Sequence, residues 1–356
     1  MDQDDFSKIK DIVDALLPKF LAYSSILTVF YASKKTIDKF SLNKKCRFDD
    51  VSKIYLPPEL TFQENEVDFK RISSKKYSES ILKFINVFID NFPKENLINF
   101  YNNINSLKVQ SKNIYSKTGD MGLYVIKKNL IYLDDNISDV VIFHELFHMA
   151  SSLYRNGVYY SGFSQAVKNK GAIGKGLNEG YTELLTQRYF NVNSSAYLSH
   201  VIIAERIEKI IGKEKMENLY FNSNLYGLIN EFKQYSTEED FINFLFNMDF
   251  CLKIFDLNIQ PFEEKIICSL FTSIYKFLVV CYAKKRYSEV KRDSEIAKNM
   301  KSFVDDFLDF LVSLPQAYEV KGKVFSIMSV ELMNECILLA SKSIDYSIPL
   351  ISKKIV

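Results

Sequence analysis

Residues 138–150 read Ser138-Asp139-Val140-Val141-Ile142-Phe143-His144-Glu145-Leu146-Phe147-His148-Met149-Ala150. The stretch is apolar nearly all round a helical wheel, the mark of a buried helix. Ser138 followed by Asp139 is a helix-start signal, so the sequence predicts a helix from Asp139 to about Tyr154. Within it His144, Glu145 and His148 form an HExxH pattern, using two of the chain's 3 histidines. Residues four apart on a helix lie one turn apart on the same face. Both imidazoles can therefore reach one cation, at about 2.0–2.1 Å for a zinc–nitrogen bond. Glu145 is displaced around the helix. Its carboxylate can miss the ion and still reach a water beside it, which is where a general base must stand. Histidines in a buried helix need polar partners or a metal. The competing reading is two core histidines with ordinary hydrogen bonds.

Working outward, Gly122–Ile126 and Leu130–Leu133 read as two β-strands joined by a polar turn at Lys127-Lys128-Asn129. Residues 155–177 hold Gly157, Gly162, Gly171, Gly174 and Gly176 and read as a loop with freedom to move over the site. Helices are expected at Asn178–Phe190 and Ser195–Gly212. The first of these begins Asn178-Glu179-Gly180-Tyr181-Thr182-Glu183. Glu179 and Glu183 share a helical face, so one can complete a tetrahedral site while the other accepts a ligand imidazole's second N–H. Alone, such a pair is ordinarily solvated surface.

The flanks read as helical. In the first, Ile81, Leu82, Phe84, Ile85, Phe88 and Ile89 recur at helical spacing, and residues 34–59 read as a loop. In the last, Asp240–Phe246, Pro261–Tyr282 and Ile296–Leu314 are expected helices. The expected class is α+β and predominantly α-helical. The expected organisation is an N-terminal helical region at 1–106, a core at 107–212 and a C-terminal helical region at 213–356, packed as lobes of one body.

A net charge of +2 gives no general pull on polyanions, and the cluster Lys34, Lys35, Lys39, Lys44, Lys45 and Arg47 comes without an aromatic platform. No nucleic-acid partner is expected. The 5 cysteines (Cys46, Cys251, Cys268, Cys281, Cys336) are odd in number and make no CxxC pair, which suits buried thiols in a reducing compartment. Met1–Asp5 is acidic, the reverse of a secretory signal's basic start, so a cytoplasmic location is expected. Ile12–Ala32 is taken as the only stretch near membrane length. Asp14, Pro18 and Lys19 interrupt it, so it reads as a buried helix without stable membrane insertion.

The pair HELFH at 144–148 and GLNEGYTE at 176–183 resembles the active-site core of gluzincin metallopeptidases, the thermolysin-like and aminopeptidase N-like group. The likeness covers about residues 120–192. It implies a zincin-like core, with a small antiparallel sheet against the HExxH helix and an edge strand that pairs with extended substrate. It also implies a Zn2+ ion held by His144, His148 and Glu179, with Glu145 activating water. Glu183 matches the residue that supports the first histidine, and Asn178 belongs to the same supporting segment. For the oxyanion the likeness implies a tyrosine between the motifs, Tyr159 or Tyr160, and a downstream histidine, for which His200 is the remaining one. His200 equally reads as a packed residue beside Tyr197, Ala204 and Ile207. The Gly-x-Met-Glu-Asn segment of the aminopeptidase group is missing, so exopeptidase action is not implied.

The expected function is zinc-dependent hydrolysis of a peptide or protein substrate. Two alternatives stand beside it: a partner-specific regulatory or toxin-like metalloprotease, and a noncatalytic zinc-binding interaction protein.

Overall fold

The computed structural model describes residues 66–351, except 74–76, 112–120, 136, 156, 168–170, 195, 255–262, 292–295 and 321–322. The expected helix Ile12–Ala32, the basic loop after it and Cys46 lie outside the described residues. Those described all belong to one compact unit.

Three helices come first: α1 (Phe69–Ser73), α2 (Ser78–Asn91) and α3 (Ile98–Ile104). In α2 the apolar spacing read from the sequence puts Ile81, Phe84, Ile85 and Phe88 on one buried face. Strands β1 (Lys108–Ser111), β2 (Gly122–Val125) and β3 (Leu130–Leu133) form a sheet in the order β1-β3-β2. The expected pair β2–β3 is antiparallel, with Tyr124 opposite Ile131. Asn129 closes its turn in the left-handed region, at φ 43°. The sheet is mixed, however, because β1 runs parallel to β3. Lys108-Val109-Gln110-Ser111 holds a single apolar residue, so no alternation announced it.

Helix α4 (Asp139–Ala150) packs against the β2 edge of that sheet. It stops four residues short of the expected Tyr154, because its last carbonyls find other donors. The Ser151 N–H bonds the Phe147 carbonyl, the Ser152 hydroxyl bonds the His148 carbonyl, and Asn103 Nδ2 bonds the Met149 carbonyl at 2.9 Å.

The segment expected as a loop is instead a four-stranded antiparallel meander, β4 (Ser152–Arg155), β5 (Val158–Ser161), β6 (Ser164–Val167) and β7 (Gly171–Ile173). The glycines that suggested a loop mark its turns. Gly157 at φ 80° and Gly162 at φ 54° supply backbone that other residues rarely adopt. The strands are only three or four residues long, too short to override that signal.

Helices then fill the rest: α5 (Lys175–Phe190), α6 (Leu198–Ile211), α7 (Lys213–Phe221), α8 (Leu225–Phe232), α9 (Glu238–Ile254), α10 (Glu263–Lys291) and α11 (Ile296–Val312). A hairpin that the sequence reading missed, β8 (Ala317–Val320) with β9 (Lys323–Ser326), precedes α12 (Val330–Ile344). The described chain is thus mostly helical, with small sheets, an α+β protein. Glu264–Lys291 within α10 is long and apolar enough to cross a membrane by length and composition, and half of its apolar 18-residue stretch is buried. This corrects the expectation that Ile12–Ala32 stood alone in that respect. Helices α9, α11 and α12 pack against α10. Cys251, Cys281 and Cys336 are buried free thiols, and Cys268 is half-buried.

An aromatic cluster fixes the two central helices. Phe147 of α4 meets Phe84 of α2 edge-on at 5.0 Å, and Phe143 stacks on Phe190 of α5 at 3.7 Å. Phe88, Phe92 and Phe221 close around Phe147. Phe147 is 1% exposed, so Phe147→Ala should lower stability by about 3–5 kcal/mol, read from the urea midpoint of the metal-free protein.

Candidate metal centre

Helix α4 presents His144 and His148 from successive turns, and α5 presents Glu179 from its second turn. The two imidazole Nε2 atoms stand 3.1 Å apart. Glu179 Oε2 lies 3.2 Å from that of His144 and 3.3 Å from that of His148. A cation making bonds of about 2.0–2.1 Å at tetrahedral angles needs donors about 3.3–3.4 Å apart. The triangle is that size to within a few tenths of an ångström, so these three groups could hold a metal ion. Two nitrogens and a carboxylate oxygen this close, in a buried place, repel one another through their lone pairs unless a cation or proton lies between them.

The second nitrogen of each ring is also engaged. His144 Nδ1 lies 2.9 Å from Glu183 Oε2, one helical turn beyond Glu179. His148 Nδ1 faces Asn178 Nδ2 at 3.3 Å and Thr182 Oγ1 at 3.5 Å. Asn178 is oriented by the Phe163 N–H, which bonds its Oδ1 at 3.0 Å. Thr182 shares a 2.6 Å hydrogen bond with the Tyr220 hydroxyl.

The charges follow this geometry. Burial lowers the pKa of His144, but hydrogen bonds to Glu179 and Glu183 and the nearby carboxylates outweigh it and push it up to about 10. For Glu179 burial acts upward, while the charge of His148 and bonds to both imidazoles hold it well below the usual carboxylate range. A pull that strong on a proton is also a pull on a cation.

Glu145 stands apart from the triangle. Its Oε2 accepts the backbone N–H of Tyr124 at 2.7 Å, and burial raises its pKa. That N–H is available because of strand register. The Asp134 N–H bonds the Met121 carbonyl, one step beyond the pair Gly122–Leu133, so Gly122 and Tyr124 turn their backbone groups to the side of β2 away from β3, where no described strand pairs. Gly122 is required at this approach, since a Cβ there would stand 2.9 Å from Glu145 Cγ.

The structure thus gathers His144, His148, Glu179, Glu183, Asn178 and Glu145. Of the expected oxyanion groups, His200 lies within electrostatic reach of Glu179. Tyr159 stacks on Tyr154 at 4.5 Å on one face of the meander, and Tyr160 is buried on the other. His200 is buried with Nε2 3.3 Å from the Met248 carbonyl, and burial lowers its pKa to about 4, so it is neutral near pH 7. The tyrosine stacked beside His144 is Tyr197, with ring centres 5.9 Å apart and a left-handed backbone at φ 54°. The sequence reading named it only as a packing neighbour. It missed Thr182 and Tyr220 as well. Thr182 sits one turn after Asn178 on the buried side of α5, a spacing that could have flagged it, whereas nothing local marks Tyr220.

Comparison with protein-family models, curated proteins and solved structures gives no match. The site therefore stands on its own geometry. Glu183→Ala should weaken the binding of an added divalent metal ion about 10–100-fold, measured by competition with a chromophoric chelator.

Proposed function

We propose that this chain is a zinc-dependent peptidase with a zincin-like core. One observation carries the reading: three donors span a triangle of tetrahedral size, while a further buried carboxylate, Glu145, is held off that triangle by a backbone amide. A structural zinc site closes with four protein ligands, whereas a catalytic one keeps a position open. Among the described residues the donor cluster has three members. That favours catalysis over a purely structural or interaction role.

His144, His148 and Glu179 would hold the ion, with Glu183 accepting the second N–H of His144 and Thr182 Oγ1 the acceptor beside that of His148, while Asn178 packs against the same ring. Bound zinc supplies Lewis acidity, making a water acidic near neutral pH and polarising a carbonyl. Glu145 takes the proton from the attacking water at its carboxylate and delivers it to the departing amine nitrogen. Its raised pKa suits a group that must both accept and release a proton. A peptide or protein substrate is favoured by the position of β2, an edge strand among the described residues that runs beside Glu145, where an extended chain can pair.

Glu145→Gln should retain Zn2+ at wild-type stoichiometry and lose about 10²–10⁴-fold in turnover of a peptide library. His144→Ala should lose the metal itself. Near-normal cleavage by Glu145→Gln would refute the assignment.

A further inference from the structure

Helix α5 carries Glu179, yet its own sequence offers its N-terminus no cap. The residue before it is Gly174, which has no side chain to accept the first amides. The cap comes from α9. Asp249 Oδ2 accepts the Gly174 N–H at 2.9 Å, and Oδ1 accepts the Gly176 N–H at 2.7 Å. Two donors that a helix start leaves open are thereby satisfied, and a negative group faces the positive end of the helix. The two helices touch backbone to backbone here. A Cβ on Gly176 would stand 2.5 Å from the Met248 carbonyl oxygen, and one on Gly174, at φ +82°, would stand 2.0 Å from that of Phe163. Asp249 itself is 6% exposed.

We infer that Asp249 is a positioning residue of the metal centre: it fixes the first turn of α5 against α9, and so sets where Glu179 meets His144 and His148. The inference rests on the metal-binding part of the function proposed above. Glu179 lies three residues beyond Gly176, about 4.5 Å along the helix axis. Metal–ligand distances tolerate only about 0.2 Å, so a first turn that shifts takes the third ligand out of range.

A carboxylate is a costly choice for a cap this deeply buried. The charged and titratable groups acting on it are Lys175 on α5 and Lys253 and the Cys251 thiol on α9, while His200 on α6 sits at the neighbouring Met248 carbonyl. Burial pushes the Asp249 carboxyl up to about 7, against the opposing pull of the two amides and the two lysines. The sign matters. A raised carboxyl pKa means that this group's contribution to folding is full at acid pH and is lost as pH rises toward 7. The ionised form, which accepts both amides, is the one present above that pH. Charge at Asp249 therefore opposes stability while it secures the helix start.

The test is Co2+ affinity and the visible Co2+ spectrum of full-length wild type and Asp249→Asn at pH 8 and pH 6, beside the thermal midpoint of each metal-free protein. Asparagine has one carbonyl oxygen for two amides. At pH 8 the variant should bind Co2+ about ten-fold more weakly, the scale seen when a group supporting a ligand is removed, with an altered spectrum and little change in midpoint. At pH 6, where wild-type Asp249 is itself protonated, the gap should narrow to under about three-fold. Should Asp249→Asn not fold, Gly176→Ala, which presses the same turn off the Met248 carbonyl, should show the same loss at pH 8. Unchanged Co2+ affinity and spectrum in the variant, with wild type binding normally, would overturn this inference alone. Wild type that binds no Co2+ at either pH would remove the metal site and the inference with it.

Discussion

The convergence of His144, His148 and Glu179 on one point is the constraint on which the rest of the structure depends. Three electron-rich atoms at 3.1–3.3 Å need a proton or a cation among them. They persist because two helices are held together by contacts elsewhere. Phe143 and Phe147 lock α4 onto α2 and α5, and Glu183 ties α5 back to His144. The hydrophobic contacts supply the bulk of the energy, and the hydrogen bonds choose among the alignments that packing leaves open.

Backbone groups do much of that choosing. The amide of Tyr124 takes the Glu145 carboxylate, the amide of Phe163 orients Asn178, and the amides of Gly174 and Gly176 meet Asp249. A backbone donor on a strand edge, in a hairpin turn or at a helix start is fixed by the fold around it. Its position can be held more closely than that of a long side chain, which must be ordered at an entropic cost. The meander β4–β7 gains a function this way. Its Gly162–Phe163 turn is the surface against which the start of α5 is set.

What the sequence disclosed, and what it hid, follows from the same distinction. The HExxH helix was legible because its chemistry and its 3.6-residue period lie within five positions. Glu179 and Glu183 were legible for the same reason, and the structure brings both to the histidines. The meander was not, since its strands are short and its glycines read equally as a loop. Strand β1 was hidden by a polar sequence. Asp249 was invisible because its partners are 73 and 75 residues away and have no side chains. Tyr124 acts through its backbone amide, so no residue-type pattern could have named it. Tyr197, whose ring stacks beside His144, carries no signal of residue type or spacing that ties it to the histidine pair.

Anomalous diffraction at the zinc edge, from crystals of the full chain grown with Zn2+, tests the account most directly. It requires one strong peak about 2.0–2.2 Å from His144 Nε2, His148 Nε2 and a Glu179 oxygen, with Glu145 beyond bonding distance and no fourth protein ligand. A peak lacking Glu179, or a site closed by a fourth side chain, would contradict it.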